Sequence, residues 1–306
     1  ITRDGSNGVE VLLGRRAESM PAFPGYWAFP GGGLSRVDKL AVEELEQLDG
    51  PNAAAFAAIM REIVEELGFA CVDGKIMVVD DAARSLVVAD KANWLPQVKQ
   101  GNIPCDTSGI RHISSRTTPP FGPVLFENTF LHIHGGSSQE VPQPSIVGQT
   151  EFVEFTWQSA DQLLLKWKAH EMKIAPPVVT LMMQLKRTLA QFGGDMESSA
   201  EEMEKRQIGR RSILFAYGVE VVPVKTATLP PADHTNSYLI GDPEGDFVLV
   251  DPAARMREGM EQLATAVERH NGNLVAIVFT HPHSDHLGDF DLLREVFDVP
   301  IWGSME

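Results

Sequence analysis

Short apolar blocks at 9–13, 123–134 and 151–157 predict β-strands, and 26–29 predicts a brief strand that breaks into the turn Gly31-Gly32-Gly33. Over 53–67 the period lengthens. Phe56, Ile59, Ile63 and Leu67 fall at i, i+3, i+7 and i+11, the spacing of one helix face. Asn52, after Pro51, stands where an N-cap belongs, and Gly68 stands where a left-handed C-cap belongs. Further helices are predicted around 83–89, over 159–167 with Ser159 as cap, and over 177–192. The acidic run 38–49 predicts an exposed helical excursion, and the rest of 75–120 carries mixed signals.

The pattern changes character after Gly193-Gly194. A charged stretch reaches to 211, where its glutamates suit either a linker or a solvated helix. Strands then follow at 219–224, 236–240, 247–250 and 274–279, around a helix at 256–269. Strands feeding a βαβ unit imply a new α/β domain, and 306 residues suit two domains. The expected organisation is a domain over 1–192, a linker over 193–211 and a second domain over 212–306. Ile1 begins close to a strand and the last residues stop in mid-pattern, so the chain reads as a fragment at both ends.

Composition narrows the partners. Forty-two acidic against 26 basic residues give a formal charge of −16. That surface disfavours nucleic acid and anionic membrane, and suits a protein that concentrates divalent cations. Cys71 and Cys105 form no CxxC pair and read as free thiols of a reducing cytosol. No apolar run has transmembrane length and no signal peptide is visible. The expectation is a cytoplasmic protein without a membrane partner, with nucleic acid disfavoured and a homodimer left open.

Two constellations carry chemistry. On the 53–67 helix, Glu62, Glu65 and Glu66 lie at i, i+3 and i+4, three carboxylates on one face. Such a face is either solvated or a hard-oxygen site for Mg²⁺ or Mn²⁺. The glycine turn ahead of it favours the second reading, because it lets a phosphate approach the backbone.

These residues resemble the Nudix hydrolase signature G-x5-E-x7-R-E-U-x-E-E-x-G-U, where U is apolar. Arg61-Glu62-Ile63-Val64-Glu65-Glu66-Leu67-Gly68-Phe69 fits its second half, and Gly32 its opening glycine. About 15 residues are inserted, and counting back from Arg61 puts Ala53 where the middle Glu belongs, so Glu43, Glu44 or Glu46 is expected to replace it. The interrupted box, together with Leu12-Leu13-Gly14-Arg15-Arg16 and Phe29-Pro30-Gly31-Gly32, is similar to the coenzyme A diphosphatase-like branch. The likeness covers roughly 8–192. It implies Glu62, Glu65 and Glu66 as ligands of Mg²⁺ or Mn²⁺, with Glu62, Glu65 and Arg61 catalytic and Arg61 orienting Glu62. It also implies Gly31, Gly32 and Arg16 at the substrate. Glu151 and Glu154 are weighed as a further ligand or base against a plain surface role.

The second constellation is Thr280-His281-Pro282-His283-Ser284-Asp285-His286, directly after the apolar block 274–279. Imidazoles with a carboxylate at a strand's C-terminal end suit zinc. With Asn236-Ser237-Tyr238 and Val248-Leu249-Val250-Asp251-Pro252 it resembles the metallo-β-lactamase superfamily, nearest to its RNA-cleaving and glyoxalase II-type thioesterase branches. That resemblance implies His281 and His283 on one Zn²⁺ and Asp285 and His286 on a second. Asp285 would also be catalytic, holding the attacking water, and Asp251 would support them. The later ligands of that family have no counterpart in the twenty residues after His286. His132 and His134 read as an edge-strand pair, and His112, His170, His234 and His270 as surface groups.

The expected fold is α/β and α+β in two domains: a Nudix α/β/α sandwich with a mixed sheet, then part of a metallo-β-lactamase αββα sandwich. The expected function is divalent-metal-dependent cleavage of a diphosphate linkage in a nucleoside diphosphate-X or (acyl-)coenzyme A type substrate, fused to a zinc hydrolase. The alternative is a nucleotide-sensing Nudix module regulating that hydrolase.

Overall fold

The computed structural model describes residues 1–117, 127–147, 151–205, 212–270 and 272–303. The chain divides into two compact units, Ile1–Ser115 with Thr129–Gln207, and Arg116–Asn128 with Ile208–Glu306. Up to residue 205 the order is β1 (Thr2–Gly5), β2 (Gly8–Arg16), β3 (Trp27–Ala28), α1 (Arg36–Glu44), α2 (Ala53–Glu62), a π-helical turn at Ile63–Leu67, β4 (Phe69–Val72), β5 (Lys75–Val78), α3 (Asp81–Ala89), α4 (Trp94–Lys99), β6 (Arg111–Thr117), β7 (Glu127–His132), β8 (His134–Ser137), β9 (Phe152–Ser159), α5 (Ala160–Lys168), α6 (Pro176–Gln191) and α7 (Met196–Lys205).

The first unit is built on a mixed sheet. β1 and β3 pair along one edge of β2, β9 takes the other edge, and β8 runs parallel to β1. The helix carrying the acidic residues is buried on two sides. Ile59, Ile63 and Leu67 pack with Leu12, Phe69 and Ile133, while Ala57, Met60 and Val64 pack with Ala41, Val87 and Trp94. Each fully buried Leu, Ile, Val or Met among them contributes about 1.5–3 kcal/mol by leaving water. This double burial holds the acidic edge of α2 in place.

Three local expectations change. Asn52 has φ −104° and ψ 9° and makes no side-chain cap bond, so α2 begins without one. The excursion at 38–49 is not an exposed helix: α1 starts at Arg36, and Asp38 and Ala41 are fully buried in it. The stretch read as a linker begins with α7, whose Met196, Ser199, Ala200 and Met203 are buried. Residues 206–211 and the 123–126 part of one expected strand lie outside the described residues. Ser159 does cap α5, through a capping box with Gln162.

The second unit continues with β10 (Ile213–Ala216), β11 (Val219–Lys225), β12 (His234–Gly241), β13 (Asp246–Val250), α8 (Arg257–Glu268), β14 (Asn273–Phe279), α9 (Ser284–Leu287), α10 (Phe290–Val296) and β15 (Ile301–Gly303). These strands form one six-stranded sheet in chain order, antiparallel from β10 to β13 and parallel from β13 to β15. Val222, Leu239, Phe247, Leu249 and Ile277 make a core with Met260 and Leu263 of α8 and Leu293 of α10. The parallel pairing of β13 with β14 sets Val250 opposite Val278 and brings two strand C-termini together. Among the described residues no helix is long and apolar enough to cross a membrane.

Candidate functional site

In the first unit the acidic site is organised by Arg61, which is 1% exposed. Its Nε and Nη2 donate to Asp38 Oδ1 and Oδ2 at 2.8 and 3.0 Å, a bidentate pair inside the core. That leaves Nη1, which donates to Glu62 Oε1 at 2.9 Å and Glu65 Oε1 at 3.0 Å. Burial pulls the guanidinium's pKa down, but Asp38, Glu62 and Glu65 together push it up, so Arg61 is permanently charged. The Ser35 N–H and hydroxyl hold Asp38 Oδ2 from the other side at 2.7 and 2.9 Å.

Asp38 was not singled out from the sequence. Counting the signature forward from Gly32, rather than back from Arg61, lands on it, with Asp in place of Glu. The inserted residues therefore lie between Asp38 and Arg61. Neither Ala53, buried in the core, nor Glu44, which pairs with Lys99, fills that place.

Glu66 turns elsewhere. Its Oε2 accepts the Gly31 N–H at 2.9 Å. Burial, then the Glu62 and Glu151 charges, push its pKa well above the usual carboxylate range, and burial raises Glu62 as well. The cluster is thus short of positive charge, which is the condition a hard divalent cation relieves. A Cβ at Gly32 would lie 2.2 Å from Glu62 Oε1 and displace that carboxylate. Arg16 is already engaged: it pairs with Glu151, and its Nε donates to Ala22 O at 3.0 Å. Glu154 pairs with Arg15 at the surface.

In the second unit, Asp251 follows β13 and the histidine loop follows β14. Asp251 is 4% exposed and adopts φ +47°, a left-handed conformation that a buried Asp keeps only when its surroundings hold it. Here they do. Thr280 N–H donates to Oδ1 at 2.8 Å, and Thr280 Oγ1 and His286 Nδ1 donate to Oδ2 at 2.6 and 2.9 Å. The Thr280 hydroxyl has one proton and gives it to Asp251, so in its 2.8 Å contact with His281 Nδ1 it accepts. In the neutral form both imidazoles therefore carry the proton on Nδ1 and leave Nε2 to a metal.

Among the described residues, Asp251, His281 and His286 are the group whose donor atoms all lie within 4.8 Å of one another. Within it the two imidazoles suit zinc, while Asp251 is engaged by Thr280 and by His286 Nδ1. Of the other expected ligands, His283 stacks edge-on against His281 at 4.6 Å. Asp285 accepts the Thr228 hydroxyl at 2.7 Å, which lowers its pKa. The acidic trio of the first unit is not gathered so closely, since Arg61 takes two carboxylates and Gly31 the third. Thr280 had been given no role from sequence; its place at the head of the histidine run was the available signal.

The remaining histidines and cysteines resolve as structure. His270 is not a surface group: its Nε2 meets Glu220 Oε2 at 2.9 Å and its ring packs on Phe247. His132 and His134 both contact Thr2 Oγ1, at 2.8 and 3.0 Å. Cys71 and Cys105 are free, and burial pushes their thiols up to about 12 and about 11, which favours the protonated form.

Comparison with known proteins matches residues 230–306 to the Metallo-beta-lactamase superfamily. The hydroxyacylglutathione hydrolase GloC of Haemophilus influenzae is 34% identical over 88 residues, 29% of this chain and 37% of that protein. An uncharacterized protein of Aquifex aeolicus is 32% identical over 79 residues, 26% of this chain and 35% of its own length. The chain thus spans little more than a third of these curated relatives. The crystal structure of a NUDIX hydrolase from Alicyclobacillus acidocaldarius superposes with a TM-score of 0.56 at 23% identity, over 68% of this chain and 94% of that one. The segment from residue 230 onward carries the metallo-beta-lactamase superfamily pattern, and over 68% of its length the chain shares the fold of a Nudix hydrolase.

Proposed function

We propose that this protein is a Mg²⁺- or Mn²⁺-dependent hydrolase of a diphosphate linkage in a nucleoside diphosphate-X or (acyl-)coenzyme A type substrate, joined to a zinc-dependent hydrolase module. The observation that carries the reading is the Asp38–Arg61 pair holding Glu62 and Glu65 while Gly31 holds Glu66. An acidic face that were only solvated has no use for a buried guanidinium behind it. When bound, the divalent ion neutralises the diphosphate and acidifies water. Glu62, Glu65 and Glu66 are the residues that hold it. Glu65, less buried than Glu66, accepts the water proton, and the turn at Gly31 and Gly32 lets the phosphates come close. In the second unit His281 and His286 offer Nε2 to zinc, with His283 and Asp285 completing the set after turning from their present contacts. The likeness to a hydroxyacylglutathione hydrolase favours a thioester for that module.

The test is turnover with Mg²⁺ or Mn²⁺ on a panel of coenzyme A esters, dinucleotides and nucleotide sugars, comparing wild type with Glu65→Gln/Glu66→Gln. Phosphorylated products from wild type alone support the reading and name the substrate class. Ligand binding without products from wild type overturns the hydrolase in favour of a sensor.

A further inference from the structure

The carboxylates of the acidic site stand on a turn that is not α-helical, and one buried side chain accounts for its shape. α2 ends at Glu62, Ile63–Leu67 form a π-turn, and Gly68 closes it at φ +74°. A π-turn lengthens each backbone hydrogen-bonded ring by one residue, and single π-turns recur at functional sites. Its last carbonyls need outside donors.

Arg84 of α3, 1% exposed, supplies them. Its Nε donates to Val64 O at 3.0 Å, and its Nη2 to Glu65 O at 3.0 Å and Glu66 O at 3.1 Å. Its far end is anchored as well, with Nη1 donating to Ser145 Oγ at 2.6 Å and Nη2 to Ser145 O at 2.8 Å. Ser145 N–H in turn donates to Leu67 O at 3.3 Å. Gly68 makes room, since a Cβ there would sit 2.8 Å from Arg84 Nη1. One guanidinium thus gathers three successive carbonyls, two of them belonging to Glu65 and Glu66. A fixed cation at that end also suits the helix dipole.

We infer that Arg84 is a positioning residue for the metal-binding carboxylates. By capping the π-turn it sets the directions in which Glu65 and Glu66 leave the backbone. A relaxation of the turn to regular helix would change the directions of both relative to Glu62. The inference rests on the reading of the acidic site as a divalent-metal site.

The experiment is Mn²⁺ binding to the full chain followed by electron paramagnetic resonance, in a His281→Ala/His286→Ala background that silences the second unit. Arg84→Lys keeps the charge but cannot bridge three carbonyls. It is expected to weaken Mn²⁺ binding about 10- to 100-fold, the usual effect of losing an outer support of a metal site. Ser145→Ala, which removes one anchor, gives a smaller change in the same direction. Millimolar guanidinium restores Mn²⁺ affinity to Arg84→Ala, a rescue that a purely structural role does not produce; if Arg84→Ala fails to fold, the other two variants carry the test. Wild-type affinity in Arg84→Lys overturns the inference alone. No Mn²⁺ binding that depends on Glu65 and Glu66 in the otherwise unaltered chain overturns it together with the reading beneath it.

Discussion

Replacing Asp38 by Ala leaves Arg61 Nε without its partner in the core and Nη2 with the Gly33 carbonyl at 3.4 Å. Asp38 is fully buried and accepts four hydrogen bonds, two from Arg61 and two from Ser35. Removing one partner of a buried ion pair costs about 3–5 kcal/mol, and Arg61 keeps as counter-charges only Glu62 and Glu65 on Nη1. For a unit of this size that corresponds to a fall in Tm of roughly 6–20 °C. Urea unfolding of Asp38→Ala, Arg61→Ala and the double variant, followed by circular dichroism in metal-free buffer, measures it. The pair should show a coupling energy of about 1–3 kcal/mol. Arg61, no longer held by Asp38, also moves onto Glu62 and Glu65, so Mn²⁺ affinity should fall with stability. A loss below about 1 kcal/mol, or strict additivity of the two single substitutions, would refute the idea that Asp38 anchors the site.

Other outcomes follow from the same geometry. Burial lowers the His132 imidazole to about 3, so the unfolded chain takes up a proton near 6.5 that the folded one refuses. Stability is whole above that range and declines as pH falls from about 6.5 towards 3, and His132→Gln should flatten the decline in acid-unfolding curves. Thr280→Val removes the acceptor for His281 Nδ1–H; nitrogen-15 NMR of the metal-free chain should show His281 moving to the Nε2–H form while His286 keeps its tautomer, and an unchanged His281 signal would sink the assignment. Gly32→Ala puts a methyl against Glu62 Oε1 and should cost diphosphate turnover far more than thermal stability, read as kcat and Tm on the same preparation.

The readable parts of the two sites were those written in short spacings. Glu62, Glu65 and Glu66 stand at helical spacing, Gly68 closes the turn that carries the last two, and the histidine run follows an apolar block. Each depends on residues within a turn or two of one another. The misreadings came where a local pattern admitted two solutions. The polar run at 38–49 has the composition of a solvated helix, yet Asp38 turns inward because Arg61 waits there. His270 looks like any polar residue at a helix end until Glu220 is folded against it.

By itself the sequence determined the elements that carry chemistry: an acidic helix after a glycine turn, and histidines at the end of a buried strand. Only the tertiary structure decided what each charged group faces. Asp38 meets Arg61 across 23 residues, Arg84 reaches Val64 across 20, and Thr280 meets Asp251 across 29. No periodicity encodes such partners, because helix and strand repeats arise from backbone geometry within a few residues. The choice among distant partners is made by burial, where a charge left without its counterpart costs more than the backbone strain or insertion needed to supply one.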